Sequence, residues 1–144
     1  MPVPVPDTFL VYVLTVFSVV VVAATRWVLS PSRAGGHGHG VSPGLLNVHT
    51  AAGVVGAVLW CGFLSLPFDG ETWHSLIGVL GLGGWWITGW FGLLLLGRWL
   101  PSRGRHSDAQ DHGWVLPFVV ALVGHVGVAL SAVVFTLGYL FATV

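Results

Sequence analysis

LLNVHTAAGVVGAVLWCGFLSL, residues 45–66, contains no charged side chain and one histidine, His49, close to its start. It matches the roughly 20 apolar residues that a helix needs to cross the hydrocarbon core of a bilayer. Ser42-Pro43-Gly44 precedes it and Pro67 follows it, so the run is bounded by residues that start and stop helices. Its composition is that of a membrane span with one histidine inside. Three further stretches share its length and apolarity, at about 8–29, 73–97 and 113–141.

The whole chain fits this reading. Its 144 residues are 55% hydrophobic and only 7% charged, with a mean hydropathy of +0.88, whereas about a quarter of the residues of an ordinary soluble domain are charged. So little charge cannot cover a water-facing surface. The expected fold is therefore all-α, an integral membrane four-helix up-down bundle forming one domain over residues 1–144. Pro2, Pro4 and Pro6 stop the first helix from propagating backward. Asp7 is the only charge ahead of it, so it lacks the basic leader of a signal peptide and is expected to stay as a permanent span.

Arginine placement sets the expected orientation. Arg26 and Arg33 follow the first span, and Arg98, Arg103 and Arg105 follow the third, while Asp7, Asp69 and Glu71 mark the opposite face. The tendency of basic residues to stay in the cytoplasm puts the Arg-bearing loops there and both termini outside, in a multi-pass protein of the plasma membrane. Zero net charge and the lack of a basic patch give no support for nucleic-acid binding. The single Cys61 excludes an intramolecular disulfide or CxxC chemistry.

No Asp, Glu, Lys or Arg falls in the middle of a span, which argues against an ion-coupled carrier. Histidine is the remaining chemical handle: His49 on the second span, His74 at the start of the third and His125 on the fourth. Neutral imidazole is a good axial ligand for haem iron. The second and fourth helices of an up-down bundle are diagonal partners that face the same core. His49 lies 17 residues before Leu66 and His125 lies 16 before Phe141, so the two match in depth when counted from the outer ends. Small residues accompany each: Ala52, Gly53, Gly56 and Ala57 share a helical face with His49, and Ala121, Ala129 and Ala132 share one with His125. Such recesses suit a macrocycle, and they equally suit ordinary helix packing in lipid.

The other histidines carry less. His74 suits a haem propionate or a quinone head group near the outer interface. His112 has no evident partner, and the Gly35–Gly40 loop, with His37 and His39, has too few ligands for a closed metal site. Trp73 and Trp114 suit interfacial anchoring, and Trp60, Trp85 and Trp86 lie deeper.

The His-plus-Gly pattern at 49–53 and 74–78, with His125 on the last helix, resembles that of small four-helix membrane cytochromes b. It is similar to the cytochrome b subunits of bacterial oxidoreductases and to the half-bundles of haem A synthase. The resemblance implies one haem b held axially by His49 and His125, with His74 and Gly53 beside the cofactor. It implies electron transfer between a quinone pool and partner subunits of a membrane oxidoreductase or respiratory complex. It lacks the paired histidines on each of two helices that two-haem cytochromes use. Two other functions stay open: a cofactor-free accessory subunit of such a complex, and a copper- or haem-handling assembly factor.

Overall fold

The computed structural model describes residues 7–29, 42–66, 71–104 and 115–141, with side chains described over 72–98 in the third helix and from 118 onward in the fourth. The described chain is all-helical, with α1 at Thr8–Val28, α2 at Pro43–Ser65, α3 at Glu71–Gly104 and α4 at Val115–Leu140. All four helices are long and apolar enough to cross a membrane. The protein is accordingly a multi-pass membrane protein. His37, His39, His106, His112, Trp114, Arg33, Arg105 and Asp69 lie outside the described residues.

Local chemistry explains the helix ends. Asp7 caps α1, its side chain accepting from the Phe9 backbone N–H at 3.3 Å. Pro43 opens α2 at its first position, where no backbone donor is needed, so this helix starts two residues ahead of the apolar run. The largest departure from the sequence expectation is at the end of α3, which continues past Gly97 to Gly104. Hydropathy marks where the hydrocarbon ends, and the helix outlasts it. At 1.5 Å per residue this 34-residue helix is about 50 Å long, well beyond the roughly 30 Å apolar core.

The helices pack in a ring in chain order. α2 packs most extensively on α3, α3 on α4, and α1 more sparsely on α4 and α2; the diagonal pairs α1–α3 and α2–α4 make no direct backbone approach. Glycines set the closest seam. A Cβ on Gly84 would stand 2.5 Å from Gly56 Cα, and one on Gly81 would stand 2.9 Å from the Trp60 backbone nitrogen. Such close approach recovers dispersion energy, which lipid makes the main source of helix association. At the centre Trp60, Trp85 and Phe135 are fully buried, with Phe135 5.2 Å from the Trp60 ring and 5.8 Å from that of Trp85. Valines of α1, such as Val13, Val16 and Val20, face outward. That suits a lipid-facing helix surface.

Candidate functional site

Nearer the Arg26 end of the bundle, the interior becomes polar. His49 is 1% exposed and His125 8%, and their ring centroids stand 6.0 Å apart with planes inclined at 33°. The two helices that carry them are diagonal, so the rings meet across the core rather than along a shared seam.

Each ring is held through the same nitrogen. His49 Nδ1–H donates to the Thr88 carbonyl of α3 at 3.0 Å. His125 Nδ1–H donates to the Ala121 carbonyl one turn earlier on its own helix, at 2.8 Å. A carbonyl can only accept, so these bonds place the proton on Nδ1 and leave the lone pair of each neutral ring on Nε2. Histidines that ligate metals are commonly oriented this way, with the second nitrogen tied to a carbonyl. His49 Nε2 is buried and has no partner among the described residues. His125 Nε2 receives the Thr25 hydroxyl at 3.4 Å, at the far end of hydrogen-bond range.

Gly92 of α3 forms the floor between the rings. A Cβ there would stand 2.9 Å from His125 Cδ2 and 3.2 Å from His49 Cε1. Even one methyl would press on both imidazoles. Thr88, a turn earlier, is fully buried and returns its own hydroxyl to the Gly84 carbonyl at 2.7 Å. Its carbonyl thus serves His49 while its side chain stays within α3.

The other sequence candidates fall elsewhere. His74 Nε2–H donates to the Phe63 carbonyl near the end of α2 at 3.0 Å, and the His74 ring stacks on Phe63 at 4.5 Å. Phe63 is 14 residues beyond His49 on α2, about 21 Å along the helix, so His74 is remote from the pair. Its contacts tie α3 to the end of α2. Gly53 faces α1, where an added Cβ would stand 2.8 Å from Val22; it serves the α1–α2 approach. Trp60 and Trp85 are core residues whose buried indole N–H groups lack partners among the described residues.

Thr25, Thr88 and Gly92 carry no sequence signal that marks them as parts of the site, and Ala121 stands out in the sequence only as a small residue on the His125 face. Gly92 belongs to the glycine-rich stripe of α3, and nothing in that stripe distinguishes the one glycine beneath two histidines. The role of Thr88 and Ala121 is played by the backbone, which side-chain identity does not report.

Among the described residues, no group of three or more His, Cys, Asp or Glu is placed to hold a metal ion. The donors that meet here, among the described residues, are two imidazoles, fewer than a closed structural zinc site uses. Comparison with known proteins adds no family: no family model matches the chain, and neither the curated proteins nor the solved structures yield a match.

Proposed function

We propose that the protein is a b-type haem electron-transfer subunit of a membrane oxidoreductase, with His49 and His125 as the axial ligands of one haem. The observation that carries this is the convergence of the two imidazoles, each with Nδ1 bound to a backbone carbonyl and its lone pair therefore on Nε2. The orphaned His49 Nε2 fits such a group. A buried acceptor without a partner costs about 1–3 kcal/mol, which ligation would recover. His125 has only the long Thr25 bond to give up. When bound, the haem would supply a one-electron carrier. The chain would supply fixed tautomers and a buried site.

The same proposal includes an up-down-up-down arrangement with the Arg-bearing ends cytoplasmic and both termini outside. Contact register supports alternation. Tyr12 meets Leu64 while Arg26 meets Asn47 between α1 and α2, and Tyr139 meets Ser75 while Gly92 meets His125 between α3 and α4. With one haem on the chain, partner subunits would be needed on either side of the electron path.

A reduced-minus-oxidised optical spectrum of the purified protein tests the proposal. A low-spin b-type band is expected, lost on either His49→Ala or His125→Ala and retained on His74→Ala. A protein expressed with ample haem that shows no band, yet copurifies with stable partner subunits, is instead the cofactor-free accessory subunit.

A further inference from the structure

The outward face of α3 differs in composition from those of its neighbours. Exposed residues recur along it at Leu80, Gly83, Ile87, Trp90, Leu94 and Gly97, alternately three and four apart, and the series runs back through Leu76 to Trp73. Such spacing belongs to any helix stripe turned away from a bundle; the residue types distinguish this one. Through their middles the outward stripes of α1 and α4 are aliphatic, as at Val16, Val20, Val123 and Leu130. That of α3 carries two glycines and a tryptophan one heptad apart, at 83, 90 and 97.

Packing within the bundle does not account for these three. Gly78, Gly81, Gly84, Gly89 and Gly92 each lie where an added Cβ would meet a neighbouring helix. At Gly83 and Gly97 a Cβ would meet nothing within 4 Å, although alanine is the better helix former. Trp90 is 64% exposed and lies eight residues inside Arg98, about 12 Å along the helix. That is deeper than the interfacial level tryptophan prefers. Trp86 donates its indole N–H to the Thr136 hydroxyl at 3.0 Å, whereas that of Trp90 has no partner among the described residues. Lipid tails offer no acceptor and have no use for glycine. A second helix uses both, since small residues let backbones approach and polar atoms bond across the contact.

We infer that two copies of the chain associate through this stripe, α3 against α3 about a two-fold axis along the membrane normal. Copies inserted with one orientation form a symmetric pair only about such an axis, so each residue meets its own counterpart at its own depth. Gly83 then faces Gly83 and Gly97 faces Gly97, and no charge between 72 and 97 opposes its twin. Helical side chains lean toward the N-terminus, which directs Trp90 of each copy toward the gap at Gly83 of the other. A bulky ring and a gap on one stripe are self-complementary, as the interface of a symmetric dimer must be. The spacing suits the shallow left-handed crossing common in membrane bundles. At its observed exposure the stripe from Trp73 to Gly97 presents on the order of 700 Å², close to the roughly 800 Å² per partner of a stable interface. The pairing is independent of whether the histidines hold haem.

Disulfide trapping of the full chain in its membrane tests the contact. Cys61, the single cysteine, is exposed and is first replaced by serine. In that background Gly83→Cys and Ile87→Cys should give covalent dimers on oxidation with copper phenanthroline. Val16→Cys, Val58→Cys and Val123→Cys, at sites at least as exposed as Ile87 on the other three helices, should stay monomeric. Adding Gly83→Leu to Ile87→Cys should cut the trapped dimer about tenfold, the effect of overpacking one seam. Its far-ultraviolet circular dichroism should not change, because a Cβ at 83 meets nothing within the bundle. Trp90→Ala should lower the yield as well. Equal trapping at all five positions, no trapping at 83 and 87, or indifference to both Gly83→Leu and Trp90→Ala overturns the pairing. So does an adduct at 83 whose mass is not twice that of the chain, which would give this face to a different protein.

Discussion

Gly92 of α3 borders both imidazoles, and a side chain there has a definite consequence. A methyl would stand 2.9 Å from His125 Cδ2 and 3.2 Å from His49 Cε1, inside normal contact distance, so at least one ring must rotate. His49 is the more constrained, because its Nδ1 bond crosses to α3. His125 is bound only to its own helix and, at long range, to Thr25. His125 should therefore be the ring that moves. Overpacking of this kind costs about 1–3 kcal/mol. We expect Gly92→Ala to keep the bundle folded while broadening or shifting the b-type absorbance, visible by low-temperature absorption spectroscopy. An unchanged spectrum would mean that Gly92 does not border the ligand pair. Sequence revealed which histidines could meet here, but not which glycine lies under them. Several glycines of α3 look alike along the chain, and only the rotation of α3 against α2 and α4 assigns each a neighbour.

At the scale of the helices, α2 and α3 are joined by backbone contact. Gly56 and Gly84 face each other so closely that a Cβ on Gly84 would stand 2.5 Å from Gly56 Cα. Gly83, adjacent in sequence, faces outward, and a Cβ added there would meet nothing within 4 Å. The pair makes an internally controlled test. Gly84→Ala should destabilise the protein by about 1–3 kcal/mol, read as earlier thermal loss of monodispersity in mild detergent. Gly83→Ala should be neutral or slightly stabilising, because alanine is the better helix former. Equal effects at the two positions would contradict the packing described for this seam. Separating α2 from α3 also pulls the Thr88 carbonyl from His49, so Gly84→Ala should weaken haem retention as well as stability.

For the whole molecule, the proposed orientation turns on charge. Arg26, in the last turn of α1, donates to Asn47 Oδ1 near the start of α2 at 2.7 Å, tying together the two helix ends on the arginine side. Alkaline phosphatase fused after Val144 should be active and a fluorescent protein at the same place dark, as expected for an external terminus. The opposite pattern would invert the orientation without disturbing the helix ring. The ring itself places α1 as the least tightly held member, since it touches both neighbours more sparsely than α3 touches either of its own. A cavity beside His125 lies at this looser seam.

Four apolar runs, their lengths and their lack of internal charge were enough to establish from the sequence alone that the chain is helical and can cross a membrane four times. The bilayer imposes that outcome, because a backbone in hydrocarbon must satisfy its own hydrogen bonds. The depth count that paired His49 with His125 also came from the linear chain, since helical rise is constant. The rest was a matter of tertiary structure: the backbone carbonyls that set each ring's tautomer, the glycine beneath both rings, the engagement of His74 with Phe63, and the outward turn of Gly83 and Trp90. Each depends on how far one helix is rotated about its axis relative to the next. Dispersion contacts along small-residue seams choose that rotation, and hydropathy carries no trace of it.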